Sequence, residues 1–394
     1  MRQVFRGGTV LDIATESRRL LDVVVDGERI VEIAPQVTAL PSDVVIDVSG
    51  KWLLPGLTNC HAHLGWDGIH DLEIQSLDTD EIGSWRAARN VRRSLAAGLT
   101  TLRDLGMNGV GIYAKQAVDR AISPYIRLLP VGRAITMTGG HTWWACREAD
   151  GIEDCRAAVR EQARAGAAWI KIMGTHYWPH MPPDRGPVCQ FSTAELETLV
   201  SEAHSLGLKV TACIGSGEAV RRVVKAGVDC IEHGAAVSED TLNLMLERNV
   251  WLVTTFSPLV LQARDGLAAG MPRAAVEHRK RQIGDGTRFD GLRALVAAGV
   301  PVAFGTDAGS PLVPHGEIVP ELQFMVQVGV CRDPWAALRA ITLSAARLLG
   351  LDHELGSLEV GKFADVVVVN GDPAADLENL RDIANVYVRG TRAA

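Results

Sequence analysis

The chain of 394 residues is poor in aromatic residues, which make up 5% of it, and it lacks any long apolar run. A membrane-spanning helix needs about 20 consecutive apolar residues, so the sequence predicts none. Acidic residues outnumber basic ones by 47 to 40, which gives a formal net charge of −7. This charge argues against nucleic acid and anionic membranes as partners. We therefore expect a soluble, cytoplasmic protein that acts on a small-molecule substrate, and we also expect a homo-oligomer.

The seven cysteines are an odd number, and no two of them stand in a CxxC pair. Neither a disulfide framework nor a zinc finger is therefore indicated. We expect most of these thiols to be small residues of the core.

A recurring pattern organises the middle of the chain: a helical segment ends in a small or turn-forming residue and an apolar strand follows at once. Glycine or asparagine at a helix end, followed by a buried parallel strand, is half of a βαβ unit. The six occurrences are SLAAG-LTTLRD, ARAG-AAWIKI, HSLG-LKVTAC, VKAG-VDCIEH, LERN-VWLVTT and VAAG-VPVAFGTD. With LTNCHAH before them and IRLLPVGRAIT within the series, eight strands are counted. The pattern predicts an α/β fold with a (β/α)8 TIM barrel over residues 57–354.

Both chain ends have a different sequence pattern, in which short segments of alternating apolar and polar residues, typical of β-strands, are joined by turn residues. The segments are TVLDI, LDVVVDGERIVEIA, DVVIDVSGKWLLPG, GSLEVGKFADVVVVNGD and IANVYVRG. Asp26-Gly27 inside the second of these is a hairpin signal. We predict a small β-sandwich domain that residues 1–56 and residues 355–394 build together beside the barrel.

Two histidines, His61 and His63, stand one residue apart at the end of the first predicted barrel strand. Residues i and i+2 of a strand point to the same side, so both imidazoles can face one divalent metal ion. A pair of surface histidines is the alternative, and the other strands decide between the two interpretations.

The other predicted barrel strands also end in polar residues, and a barrel of this kind carries its chemistry at those ends. In strand order the residues are His61 and His63, Arg103 and Asp104, His141, Lys171, Cys213, Glu232 and His233, Thr254 and Thr255, and Asp307. So many ligand-type side chains at one end of the barrel predict a metal site. For Asp104 two interpretations stay open: a hydrogen bond to a ligating histidine, or a buried pair with Arg103.

The chain resembles the amidohydrolase superfamily over essentially its whole length. The motifs are HAH at 61–63, WIKIM at 169–173, IEHG at 231–234, GTDAG at 305–309 and the closing GSLEVGKFADVVVV. TGGH at 138–141, READG at 147–151 and PVCQFSTAELETLVSEAHSLGLKVTA are most similar to prolidase-like and imidazolonepropionase-like members. The resemblance implies one or two divalent metal ions per chain, zinc in most members, and a carboxylated lysine.

The resemblance also implies a role for each residue. His61, His63 and Asp307 bind the first metal, and Lys171, carboxylated by CO2, bridges it to a second metal at His233. A hydroxide between the metals is the nucleophile, and Asp307 carries its proton to the leaving amine. His141 is expected to contact the substrate carbonyl or its leaving group. His233 is expected to take part in catalysis in addition to binding the second metal.

Two positions depart from the family pattern, because KVTACIGSG aligns without gaps on the relatives' KVTAHAHG. Cys213 stands where a histidine binds the second metal. A thiolate is an excellent zinc ligand, but its side chain is shorter than histidine, and a filler residue at a lost site is the alternative. We favour ligation. Gly215 stands where relatives carry histidine or tyrosine, so one polar group that faces the substrate is absent.

Four aromatic residues, Trp143, Trp144, Tyr177 and Trp178, cluster in the loops after strands 3 and 4 of a chain that has few aromatics elsewhere. We expect them to line an apolar substrate pocket with Gly215, with core packing of these loops as the alternative. The predicted function is hydrolysis of an amide or related C–N bond, on a bulky or aromatic substrate. A prolidase-type dipeptidase or N-acyl amino acid hydrolase is one alternative, and a catalytically silent scaffold is another.

Overall fold

The computed structural model of the chain describes residues 1–69, 71–106, 108–176 and 187–394. Within these ranges no helix is both long and apolar enough to cross a membrane. The strands in chain order are β1 (Arg2–Asp12), β2 (Ser17–Asp26), β3 (Arg29–Ala34), β4 (Val44–Asp47), β5 (Trp52–Pro55), β6 (Leu57–Ala62), β7 (Leu99–Asp104), β8 (Arg127–Pro130), β9 (Ile135–Thr136), β10 (Arg147–Glu148), β11 (Trp169–Met173), β12 (Thr175–His176), β13 (Val188–Cys189), β14 (Lys209–Cys213), β15 (Cys230–Glu232), β16 (Trp251–Val253), β17 (Val302–Ala303), β18 (Val366–Val369), β19 (Ile383–Val388) and β20 (Thr391–Arg392).

Helices alternate with the strands of the middle section, so the fold is mixed α/β as predicted. They are α1 (Leu72–Ser76), α2 (Asp80–Ala96), α3 (Val110–Asp119), α4 (Gly151–Ala165), α5 (Thr193–Ser205), α6 (Gly217–Ala226), α7 (Glu239–Glu247), α8 (Ser257–Asp265), α9 (Arg273–Asp285), α10 (Thr287–Ala297), α11 (Val319–Gln327), α12 (Pro334–Arg339) and α13 (Ala345–Leu349). A π-helical turn, Ala340–Ser344, joins the last two.

The residues that end the six predicted helix–strand units have left-handed backbone conformations, with φ between +52° and +103°. They are Gly98, Gly166, Gly207, Gly227, Asn249 and Gly299. Glycine and asparagine tolerate this conformation, which ends a helix and redirects the chain into the next strand. The recurring helix–strand pattern in the sequence is therefore explained by the left-handed backbone conformation at these six residues.

Two parallel sheets carry the middle strands. One contains β6, β7 and β8, and the other runs β10-β9-β11-β14-β15-β16-β17. Eight of these strands match the predicted eight: β6, β7, β8, β11, β14, β15, β16 and β17. Backbone hydrogen bonds link the sheets at both ends, from Ala168 N to Pro130 O (2.7 Å) and from Cys60 N to Phe304 O (2.9 Å).

The strands from the two chain ends form one eight-stranded sheet, in the order β20-β19-β18-β5-β1-β2-β3, with β4 beside β1. Strand β18 runs antiparallel to β5 and so joins the two chain ends. Val366 and Val368 pack into the apolar core of this sheet, while Val367 and Val369 pack into the main core of the chain. A strand that is buried on both faces explains the unbroken VVVV run. The predicted hairpin at Asp26-Gly27 joins β2 to β3.

Candidate metal centre

Three side chains converge where β6 and the segment after β17 meet. His61 Nε2 and His63 Nε2 lie 3.4 and 3.0 Å from Asp307 Oδ1. In the part of the chain that the structure describes, these residues form the group of His, Cys, Asp or Glu side chains whose donor atoms all lie within 4.8 Å of one another. Two imidazoles and a carboxylate form a donor set of the kind that binds zinc.

The backbone brings these side chains together. Asp307 N donates to His61 O (2.9 Å), and His63 N donates to Ala308 O (2.7 Å). The first glycine of the GTDAG motif, Gly305, allows this close approach, because a Cβ there would lie 2.7 Å from His61 Cβ. The motif is thus required by packing as well as by chemistry.

A buried carboxylate fixes the orientation of His61. Its Nδ1 lies 2.7 Å from Glu232 Oε2, and both side chains are about 1% exposed or less. Because a carboxylate accepts hydrogen bonds, Nδ1 carries the proton and the Nε2 lone pair faces Asp307. Arg103 Nη2 donates to Glu232 Oε1 at 2.5 Å, and the Thr211 hydroxyl donates to the same oxygen. Burial alone would raise the pKa of Glu232, but the charge of Arg103 and the contact with His61 hold it far below its usual value.

Both interpretations of Asp104 were wrong. Arg103 pairs with Glu232, and Asp104 Oδ1 accepts a hydrogen bond from Leu64 N at 2.8 Å. Asp104 therefore holds the backbone immediately after His63, and burial raises the pKa of its carboxyl to about 7.

Lys171 lies at the centre of β11 and is 2% exposed. Among the described residues no hydrogen bond or salt bridge of Lys171 Nζ is found, and the side chain lines the smaller cavity described below. A buried ammonium without a partner costs several kcal/mol, so this environment is unfavourable for an unmodified lysine.

His233 follows β15 and has a left-handed backbone with φ of 69°. Its Nδ1 lies 2.5 Å from Thr255 Oγ1, and that hydroxyl donates its proton to Thr254 O at 2.8 Å. Thr255 must therefore accept from His233, which leaves the proton on Nδ1 and a lone pair on Nε2. Burial lowers the pKa of His233 to about 3 and keeps the ring neutral.

Two adjoining cavities of about 430 and 340 Å³ meet at this centre. His141, Cys213, His233, Pro258, Arg279 and Asp307 line both of them. His61, His63 and Lys171 line the smaller cavity. All six predicted metal ligands thus face one space, although Cys213 and His233 are not members of the 4.8 Å group.

Cys213 is the last residue of β14 and is 9% exposed. Burial raises the pKa of its thiol to about 11. A bound dication would oppose this effect, because it stabilises the thiolate.

Gln190 supports the loop that carries His141. Its Oε1 accepts from Thr136 Oγ1 (2.7 Å) and from His141 N (3.3 Å), while its Nε2 donates to Thr175 O (3.0 Å). Burial lowers the pKa of His141 to about 4, so this ring is neutral and can donate or accept one hydrogen bond at the cavity.

Only some of the predicted pocket residues line the two cavities. Gly215 lines the larger cavity, and a Cβ there would lie 2.9 Å from Pro187 Cγ. Trp143 is 50% exposed, and Trp144 packs against Trp66 with ring centroids 5.5 Å apart. Of the described tryptophans Trp66 lines the smaller cavity, whereas Trp143 and Trp144 line neither of the two. Tyr177 and Trp178 lie outside the described residues.

The sequence placed Glu232 and Thr255 at strand ends without indicating a role, and for Arg103 it suggested only a pair with Asp104. The available signal was a charged residue inside a strand whose every residue is buried, as in LTTLRD and CIE. A buried charge must be paired, so such residues point to partners at the site.

The comparisons with known proteins agree with this geometry. The sequence profile of the amidohydrolase family matches residues 52–393. An ochratoxinase of Aspergillus niger is 30% identical over 356 residues, which cover 83% of this chain and 72% of the relative. An imidazolonepropionase of Aromatoleum aromaticum is 28% identical over 366 residues, which cover 84% and 80%.

A similar solved structure is that of a prolidase complexed with N-methylphosphonate-L-proline. It has a TM-score of 0.86 and 30% identity, and the match covers 100% of this chain and 99% of the other. The prolidase-like and imidazolonepropionase-like resemblance of the sequence is thereby confirmed. The chain belongs to the amidohydrolase family and is a hydrolase that acts on C–N bonds.

Proposed function

We propose that the protein hydrolyses an amide or related C–N bond with a divalent metal, zinc by preference, bound to His61, His63 and Asp307. The convergence of these three side chains beside two cavities carries the proposal. The donor set fits the ion, because the proton of His61 is held on Nδ1 by Glu232 and two nitrogens and an oxygen suit zinc. When bound, the metal supplies an activated water as nucleophile and polarises the scissile carbonyl.

Lys171 is proposed to be carboxylated and to contribute to metal binding. Carboxylation replaces a buried ammonium, which has no partner among the described residues, by an anion with two oxygen donors. Lys171→Ala should lose metal, and added short carboxylic acids should restore part of it. Lys209→Ala, at an exposed position of the neighbouring strand β14, is the matched control and should keep its metal. Full metal retention by the Lys171 variant would exclude a role in binding.

A second metal position is proposed at His233 and Cys213, which line the same cavities as Asp307. A thiolate makes this position softer than one built from imidazoles and favours zinc over manganese. Cobalt-substituted protein should show a thiolate-to-metal absorption band that Cys213→Ser abolishes. If the serine variant keeps the spectrum and the metal content, the thiol is not a ligand.

Asp307 is proposed as the acid–base group of the reaction. Its Oδ1 lies within reach of both histidine Nε2 atoms and accepts from Ser310 Oγ at 2.7 Å. The neighbouring histidines hold the pKa of Asp307 well below its usual value despite burial, so the group is an ionised carboxylate that has a free site for a proton. It can then pass that proton to the leaving amine. His141 is proposed to contact the substrate carbonyl or leaving group from the opposite loop.

A bulky or aromatic small-molecule amide is the proposed substrate. The larger cavity has a volume of about 430 Å³, and Ile214, Gly215, Pro258 and Leu259 give it an apolar side. Gly215 lines this cavity without a side chain, and Pro187 Cγ lies 2.9 Å from the position that a Cβ would take. The ochratoxinase relative and the prolidase neighbour make such amides natural first tests.

The second candidate is a dipeptide or N-acyl amino acid with a free carboxylate. A similar solved structure, a prolidase complexed with N-methylphosphonate-L-proline, favours this candidate. A library of aromatic amides, dipeptides and N-acyl amino acids, assayed with zinc, manganese or cobalt, separates the candidates. Activity restricted to substrates with a carboxylate would favour the second candidate.

For the architecture, we propose that the two parallel sheets form one closed (β/α)8 barrel over residues 57–354. The hydrogen bonds at both ends of the sheets support this arrangement. A β-sandwich domain from residues 1–56 and 355–394 is proposed beside it, on the basis of the separate apolar core of the eight-stranded sheet. The cytoplasmic location and the homo-oligomer remain predictions.

A further inference from the structure

Glu321, on α11, is fully buried and has no role in the chemistry described above. It is 0% exposed, and no salt bridge to it occurs in the described ranges. Its carboxylate instead accepts four hydrogen bonds from the turn between β16 and α8. Oε1 accepts from Phe256 N (2.8 Å) and Thr254 Oγ1 (3.3 Å), and Oε2 accepts from Ser257 N (2.5 Å) and Ser257 Oγ (2.8 Å).

These bonds enclose Thr255, the residue in the middle of the turn. Thr255 has a φ of 51°, a left-handed conformation that β-branched residues rarely adopt. Such a conformation persists when neighbouring contacts enforce it. Glu321 supplies these contacts, because it binds the residue before Thr255 and the two residues after it.

The strained conformation has a consequence for His233. It turns the Thr255 hydroxyl so that it donates to Thr254 O (2.8 Å) and can only accept from His233 Nδ1 (2.5 Å). We propose that Glu321 is a positioning residue: through this turn it keeps the His233 proton on Nδ1 and presents the Nε2 lone pair to the cavity. A metal ligand requires such a lone pair, and partners that fix the tautomer strengthen binding. The consequence for metal affinity rests on the proposed role of His233 as a ligand.

The direct test is nuclear magnetic resonance of the full-length chain labelled with 15N-histidine, with zinc and after chelation, together with zinc affinity from chelator competition. The variants are Glu321→Gln, Thr255→Val and Thr255→Ser. Valine keeps the shape of threonine without the hydroxyl, whereas serine keeps the hydroxyl. Thr255→Val also tests the contact independently of whether Glu321→Gln folds.

Two controls match the loss of a buried polar group elsewhere. Thr342 is 0% exposed and its hydroxyl donates to Leu338 O at 2.6 Å, so Thr342→Val removes a comparable hydrogen bond. Asp365 is 4% exposed and accepts from Arg389 N and Arg127 Nη1, so Asp365→Asn removes a buried carboxylate charge. Both controls should lower the melting temperature and leave His233 and the zinc affinity unchanged.

We expect His233 to carry its proton on Nδ1 in the wild type and in Thr255→Ser. Thr255→Val and Glu321→Gln should populate the Nε2–H form and bind zinc about 10- to 100-fold more weakly. A wild-type His233 protonated on Nε2 after chelation would overturn the inference, as would Thr255→Val and Glu321→Gln variants in which His233 keeps its proton on Nδ1 as in the controls. If the tautomers behave as expected but His233→Ala keeps its full metal content, the positioning role stands and the proposed ligand role of His233 fails.

Discussion

Substitution of Glu232 by glutamine is predicted to damage stability and metal binding together. Glu232 Oε2 accepts from His61, and Oε1 accepts from Arg103 and Thr211. A glutamine amide must turn its NH2 group toward one of these donors, whichever way it is oriented. It also leaves the guanidinium of Arg103, which is 0% exposed, without a counter-charge.

Breaking one partner of a buried ion pair costs about 3–5 kcal/mol. Total folding stabilities of about 5–15 kcal/mol mean that Glu232→Gln should remove a large part of the stability. Because the proton on His61 Nδ1 is no longer fixed by a carboxylate, zinc affinity should also fall about 10- to 100-fold. Glu218→Gln, which disrupts an exposed pair with Arg221, should change stability by less than about 0.5 kcal/mol.

Urea unfolding and chelator competition measure the two effects. The double variant Arg103→Met with Glu232→Met should be more stable than Glu232→Gln, because it removes both charges and leaves none unpaired. A loss of less than about 1 kcal/mol for Glu232→Gln, together with wild-type zinc affinity, would refute the assignment of Glu232 as the group that orients His61.

Three further predictions concern the proton carrier, the buried carboxylate of α11 and the substrate cavity. Asp307→Asn should cut turnover by at least about 100-fold while circular dichroism shows an intact fold, and near-normal turnover would mean that another group moves the proton. Burial raises the pKa of Glu321 from 4.5 to about 7, although its hydrogen bonds lower the pKa. Protonation of Glu321 in the folded state therefore stabilises the fold fully below pH 4.5, and this contribution is lost as pH rises through 7. The unfolding free energy of the wild type relative to Glu321→Gln should therefore fall by about 3 kcal/mol over that range, and a flat difference would contradict the raised pKa. Gly215→Tyr should raise KM for bulky aromatic amides more than for small ones, because the new side chain must displace Pro187, and an equal effect on both would place the substrate elsewhere.

The series of parallel strands could be predicted well from the sequence, because a helix-ending residue stands directly before most of the strands. Residues such as Gly166 and Gly227 end their helices in a left-handed conformation, which is a property of the residue itself. The pairing of His61 and His63 follows from the alternation of side chains along a strand in the same local way. Asp307 was assigned through its motif, and the structure brings it to both histidines.

Interactions between distant segments could not be read in this way. Arg103 was considered as a partner of its chain neighbour Asp104, but it pairs with Glu232, which lies four predicted barrel strands later in the chain. Which buried charge meets which depends on strand register around the sheets, and local patterns do not contain it. Trp66 lines the smaller cavity but was not among the predicted pocket residues, for a similar reason. The sequence shows which loops are rich in tryptophan, but it does not show the direction in which each ring points.

The central claim is that His61, His63 and Asp307 bind the metal on which hydrolysis depends. Its most direct test is metal content per chain by mass spectrometry, for full-length wild type and His63→Ala expressed with zinc. We predict stoichiometric metal in the wild type and a loss of metal and of amide hydrolysis in the variant, with the fold retained. Wild-type metal content in His63→Ala, or a metal-free wild type with full hydrolytic activity, would contradict the account.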